Sequence, residues 1–425
     1  MKREQVPVHN KQCNQSRGYK ESLNILMITP TSFFASYGCH VRILEEARVL
    51  QKMGHQVTIV TYQKGQDVDG LNIERTLAIP WRQNYEVGSS RHKIAFDVLL
   101  ALKCASFTRR RPDIIHAHLH EGVFIGYPMS LLWGVPLVFD FQGSMTNEMI
   151  DHHFLNPKSF FYRPARRLEE ILNRLPQAII TSSYHAAGLL QDEFRCEPAK
   201  ITPVPDCVNA NDFTPEWRGN GHGPSESRIQ LKQEWGIPPE RQVIVYLGLL
   251  AEYQGTSLLL EAAARVISAR PDAHFLIMGY PGVEHYRLQA HRLGLDGHIT
   301  FTGRIPYQDA PRYLGLGDIA VAPKLSATEG SGKLLNYMSM ALPIVAFDTP
   351  VSREYLRDLG MYAPPGDVQG LAAALLALLD DPNRAIVLGQ SLRQRVLERY
   401  SWEWAGQQIL DVYARALAPE EYVYA

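Results

Sequence analysis

From residue 23 onward, short apolar runs alternate with stretches in which apolar residues recur every three or four positions. LNILMIT (23–29), QVTIVTY (56–62), DIIHAHLH (113–120), VPLVF (135–139) and QAIITSS (177–183) read as buried strands. Residues 41–53, 94–107 and 184–194 carry helical spacing, the first closed by Gly54. The alternation resumes with RQVIVYLGLL (241–250), AHFLIMG (273–279), HITFTGRI (298–305) and DIAVAP (318–323), with a helical stretch at 258–269. Such alternation predicts parallel sheets covered by helices on both faces, here in two half-similar units.

Length fits two units, because 425 residues exceed one ordinary core. GNGHGPSES (219–227) has linker composition. The expected division is a polar tail over 1–22, a domain over 23–205, a linker over 206–240, a domain over 241–400 and a last helix over 401–425. Net charge is −1, which argues against a nucleic-acid partner. Five scattered cysteines without Cys-x-x-Cys point to a reducing, cytoplasmic setting. No apolar run approaches the roughly 20 residues of a membrane span, and the first residues lack the apolar core of a signal peptide.

Candidate chemistry concentrates in PKLSATEGSGKLLNYMSMALPIVAFDTP (323–350). It reads as a strand end, a small polar loop, a helix over 333–341 stopped by Pro343, and a buried strand over 344–347. A helix opening behind Gly330, Ser331 and Gly332 offers unpaired N–H groups and a positive dipole end to a phosphate. Glu329 beside it is repelled by phosphate and suits hydroxyl groups instead. His116, His118 and His120, two apart, share a strand face if the strand runs that far; zinc binding is the minor reading of them, and a ligand-facing strand end or a packed core histidine are the others. Asp67-Val68-Asp69 matches a metal motif by letter and reads as a surface turn. A basic, aromatic stretch (154–174) suits either a solvated face or peripheral contact with an anionic membrane.

The 323–350 stretch resembles the donor-site signature of retaining GT-B glycosyltransferases of the family-4 type, roughly Glu-Gly-Phe-Gly followed by Glu-Ala-Met-Ala-x-Gly-Leu-Pro-Val-Val. Glu329, Gly330 and Gly332 match its first half, and Met338, Leu342, Pro343 and Val345 its second. MGHQVTIV resembles the Gly-His-x-Val that ends the family's first helix. VPDCVNANDF resembles the strand leading out of its first domain, and the segment 399–417 the helix that crosses back. The resemblance implies an α/β GT-B fold: two Rossmann-like doubly wound domains facing across a cleft, with a nucleotide-sugar donor, a glycan or lipid-linked acceptor and no metal cofactor. It implies that Glu329 and His118, with His120 as second choice, hold the donor sugar, and that Asn336 meets the ribose at the position of the second glutamate, one residue early. Gly38, Gln142 and Gly143 fall on the acceptor side.

One departure matters most. The family reads Gly-Arg-Leu-x-x-x-Lys-Gly after the second domain's first strand, and both cations clamp the pyrophosphate. Here Leu249 and Gln254 stand in their places. Losing two charged hydrogen bonds costs about 3–6 kcal/mol, on the order of 10²- to 10⁴-fold in affinity. A helix dipole contributes only about 0.3–2 kcal/mol. Lys333 at the first turn of the donor helix is the expected replacement, with Lys324 and Arg304 at strand ends as further candidates; a Lys333 that runs to solvent is the alternative. A GT-B-shaped binding or regulatory protein, or a sugar-nucleotide epimerase, is the rival reading.

Overall fold

Runs of β-branched and aromatic residues build two all-parallel sheets. The computed structural model describes residues 22–35, 38–78, 93–215, 226–326 and 328–418. In the first half, β1 (Asn24–Thr29), β2 (Gln56–Thr61), β3 (Asn72–Arg75), β4 (Ile114–His118), β5 (Leu137–Phe141), β6 (Ala178–Thr181) and β7 (Ile201–Pro203) lie in the order 3-2-1-4-5-6-7. In the second half, β8 (Gln242–Leu247), β9 (Ala273–Met278), β10 (Ile299–Gly303), β11 (Ile319–Ala322), β12 (Ile344–Phe347) and β13 (Met361–Ala363) lie in the order 10-9-8-11-12-13. The GT-B arrangement of two Rossmann-like domains is therefore present. Strand order reverses between β1 and β4 and between β8 and β11. At such switch points the diverging loops leave a crevice at the carboxyl ends of the strands.

Several local expectations change. β4 stops at His118, because Leu119 takes a left-handed backbone (φ 59°) and opens the helix Leu119–Trp133. His120 therefore sits on a helix and does not share a strand face with His116 and His118. The polar stretch after β5 holds a short helix, Met145–Asp151, whose N-terminus Ser144 caps by accepting from the Asn147 amide. The donor-loop helix runs Gly332–Ser339, shorter than the 333–341 expected. It ends before Pro343, as Ala341 turns to φ 53°. Within the expected linker, Glu226–Glu234 is helical, and 216–225 lie outside the described residues, as do most of the N-terminal tail and 419–425. Asp67 precedes the turn at 69–70 and pairs with Arg75 at 2.7 Å.

The last helix, Trp402–Leu417, lies on the first half of the molecule against the helix Gly38–Lys52. Gly406 leaves room for Val49 and Met53, and the Tyr413 hydroxyl and His116 Nδ1 share a hydrogen bond at 2.6 Å. The halves also meet where the Glu354 carboxylate accepts the Tyr184 and His185 amides, each at 3.0 Å. There a second-half side chain satisfies orphan N–H groups of a first-half helix.

Candidate active site

The carboxyl ends of both sheets open onto one cavity of about 940 Å³ between the two halves. From the second half come Gly248, Leu249 and Gln254 after β8, Arg304 after β10, Lys324 after β11, and Glu329 through Lys333 with Asn336. From the first half come Gly38, Gln142, Gly143 and His120. Of the residues expected to hold the donor or face the acceptor, all but His118 reach this space. His118 does not line it: the ring is fully buried, with Nδ1 3.0 Å from Asp140 and Nε2 4.0 Å from Glu46. His120, the second residue of the following helix, lines the cavity in its stead, and its Nε2 lies 3.1 Å from Asn173 Oδ1.

The donor-loop helix directs its amino end into the cavity, and Lys333 leaves its first turn toward the loop after β8. Lys333 Nζ donates to Gln254 Oε1 at 2.9 Å and sits 4.5 Å above the Tyr246 ring. A Cβ on Gly248 would stand 2.5 Å from that ammonium, so only glycine fits there without displacing it. Gln254 is thus a neutral rest for a cation arriving from the neighbouring element. Burial, reinforced by Lys324, holds the Lys333 ammonium down to about 7. A half-buried cation with a neutral partner is stabilised by an arriving anion.

Lys324 is committed elsewhere. Its Nζ pairs with Glu329 Oε2 at 2.8 Å and donates to the Gly330 carbonyl at 2.7 Å, which fixes the small loop. Glu329 then lies against the first half, its Cγ 3.4 Å from where a Cβ on Gly143 would stand. Glu329 and the turn at Gly143, expected on the donor and acceptor sides respectively, are therefore neighbours. Arg304 stays near the rim, its guanidinium 5.2 Å over the Tyr280 ring. Gly38, at the head of its helix, faces open space.

Sequence reasoning missed the ion cluster beneath this floor. Arg42 forks onto Asp140 at 2.8–3.1 Å, reaches Glu46 at 3.0 Å and donates to Asp206 Oδ1 at 3.1 Å. Asp206 continues into the cavity, its other oxygen 2.7 Å from where a Cβ on Gly330 would stand. The carboxylate therefore flanks the glycine side of the donor-loop helix and leaves the Lys333 side for an anion. Although burial opposes it, Arg42 together with His118 holds the Asp140 carboxyl far below its usual range. Glu46, His116, His118 and Asp140 bring ligand-type atoms within 4.8 Å of one another, and the Arg42 guanidinium supplies the positive charge among them. The signal was present: Arg42 and Glu46 are charged residues four apart on the apolar face of a helix. On the acceptor side, burial is the largest cause that lifts the Glu148 carboxyl to about 7; nearby Glu329 adds to it and Lys93 opposes it.

Residues 37–207 match the family model described as "Glycosyl transferase 4-like domain", and residues 241–381 match "Glycosyl transferases group 1". Each half of the chain thus resembles a glycosyltransferase domain. Among curated relatives it is 26% identical over 309 residues to the alpha-D-kanosaminyltransferase of Streptomyces kanamyceticus, covering 70% of this chain and 76% of that one. It is 25% identical over 406 residues to the phosphatidyl-myo-inositol mannosyltransferase of Mycobacterium leprae, covering 92% and 96%. Among solved structures, sucrose-phosphate synthase from Thermosynechococcus elongatus superposes with a TM-score of 0.77 at 17% identity, covering 93% of this chain and 99% of that one. At that identity the two halves share a fold with it, and the fold alone.

Proposed function

We propose that the protein transfers a glycosyl group from a nucleoside-diphosphate sugar to a hydroxyl of a glycan or lipid-linked acceptor, with retention of anomeric configuration. The observation that carries this reading is the Lys333 ammonium resting at the Gly248 turn, where a pyrophosphate lying on the head of the donor-loop helix meets it. Glu329 holds hydroxyls of the sugar, and Asn336, one turn along the helix from Lys333, meets the ribose. His120 takes the place first given to His118 on the sugar's other side. Gly38, Gln142 and Gly143 line the acceptor's approach.

In the step we propose, the bond from the anomeric carbon to the β-phosphate oxygen breaks while the acceptor oxygen attacks from the same face. The acceptor proton passes to the departing phosphate. Lys333, on the side of the donor-loop helix away from the Asp206 carboxylate, stabilises the charge that develops on the diphosphate. The protein therefore acts by position and electrostatics, without a metal, and activity is expected to survive chelation. The scattered cysteines favour a reducing, cytoplasmic setting for this chemistry.

A panel of UDP-, GDP- and ADP-sugars in a thermal-shift assay tests the reading. A hit accompanied by slow donor hydrolysis supports it. Absence of any nucleotide binding would overturn it in favour of a binding protein that kept the shape alone.

A further inference from the structure

One face of the first domain concentrates exposed apolar side chains. On the helix Lys93–Ala105, Ile94, Val98 and Leu102 recur at every fourth position and point outward, Ile94 being 69% exposed. The adjacent helix Leu119–Trp133 presents Phe124, Leu131 and Leu132. On the helix Tyr162–Arg174 the outer stripe is Leu168 and Ile171, preceded by Phe160 and Phe161 at 87% and 71% exposure. The middle helix packs against both of the others, so the three stripes form neighbouring rows. Their inner faces are apolar as well: Phe96, Leu100, Val123 and Leu172 fill the core. The outward residues are thus a second apolar surface, beyond the one folding requires. Contiguous exposed patches of this kind mark interaction sites.

Charge identifies the occupant. Lys158, Arg163, Arg167 and Arg174 flank the Phe160–Ile171 stripe, and the exposed run Arg109 to Arg111 follows the first helix. Glu170, on the same helix, is already paired with Arg167 at 2.7 Å. A second copy of the chain would bring these cations face to face. The segment MKREQVPVHNKQCNQSRGYKE (1–21) is too polar to cover apolar rows. Apolar residues between basic ones are what an anionic bilayer surface accepts: rings enter the acyl boundary and guanidinium groups meet phosphates. The first turns of two of these helices also line the cavity through Lys93, Phe96 and Glu121.

We propose that this face docks on an anionic lipid surface, where the cavity meets an acceptor whose tail stays in the bilayer. The acceptor half of the statement rests on the transferase reading; the docking half does not. The experiment is sedimentation of the full chain with phosphatidylcholine vesicles and with vesicles containing about 30 mol% phosphatidylglycerol. Binding to the anionic vesicles only, weakening with salt, is the expected result. Phe160→Ser/Phe161→Ser and, separately, Arg163→Glu/Arg167→Glu should each weaken it about 10-fold or more, with melting temperature unchanged. Leu131→Ser/Leu132→Ser, on a different helix, should weaken it too. No binding to anionic vesicles, or equal binding to both kinds, overturns the proposal. So does a dimer by light scattering that the Phe160/Phe161 variant dissolves. Nucleoside-diphosphate binding measured on the same variants should stay unchanged, so failure of docking is told apart from failure of the transferase reading.

Discussion

Replacing Lys333 separates a phosphate anchor from a side chain that merely packs. In the empty protein its ammonium has Gln254 Oε1 at 2.9 Å and the Tyr246 ring at 4.5 Å, both neutral, while burial holds it down to about 7. A charged hydrogen bond to a diphosphate contributes about 1.5–3 kcal/mol, so Lys333→Ala should weaken nucleoside-diphosphate binding by about 10- to 150-fold. Only the protonated amine serves, so wild-type affinity should fall as pH rises through about 7, by up to tenfold per unit until the complex's own, higher pKa is reached. Titration calorimetry with the matching nucleoside diphosphate at about pH 6 and about pH 9 measures both effects, and the variant should lose this pH dependence. Stability supplies a check of opposite sign. A lysine whose folded pKa lies below its unfolded value near 10.4 costs stability increasingly as pH falls from that value toward about 7. The empty Lys333→Met variant should therefore melt above wild type at about pH 6, with the gap closing toward about pH 10. Equal nucleotide affinity of wild type and Lys333→Ala at about pH 6 refutes the argument.

Three further outcomes are expected. Glu329→Gln loses the Lys324 pair and the proposed grip on the sugar; transfer should fall about 10²-fold while nucleoside-diphosphate affinity, measured by calorimetry, stays within about threefold. Arg42→Met strands Asp140, Glu46 and Asp206 in a buried site, and urea unfolding should show a loss of about 3–5 kcal/mol. In Gly389→Ala the new methyl would overlap the Ala341 carbonyl, forcing apart the helix Pro382–Arg399 and the donor-loop helix; about 1–3 kcal/mol should be lost by the same assay, and nucleotide binding should weaken with it.

The alternation of apolar runs was enough to place both sheets, because central parallel strands such as β1 and β9 are buried on both faces and read as unbroken apolar text. It missed β3 and β13, short edge strands that are only partly buried and so carry no such run. That the loop over 329–333 lines the cavity was legible through glycine and carboxylate spacing. His118 was misplaced because residues at alternate positions look equivalent until the backbone turns, and the left-handed Leu119 leaves no mark in the sequence. The link from Lys333 to Gln254 spans 79 residues and arises only when β8 and β11 lie side by side. Local periodicity cannot contain it, although the missing cations at Leu249 and Gln254 showed that something had to.

The final helix has a consequence for biosynthesis. Its Tyr413 closes on His116, nearly 300 positions upstream, and Trp402–Leu417 covers a surface of the half made first. Domains generally fold as they leave the ribosome, amino end foremost. Here the leading half cannot be sealed until residues 402–417 have been made. A nascent chain stalled before residue 402 would hold an open seam for chaperones, and a fragment cut at residue 207 would be missing its lid.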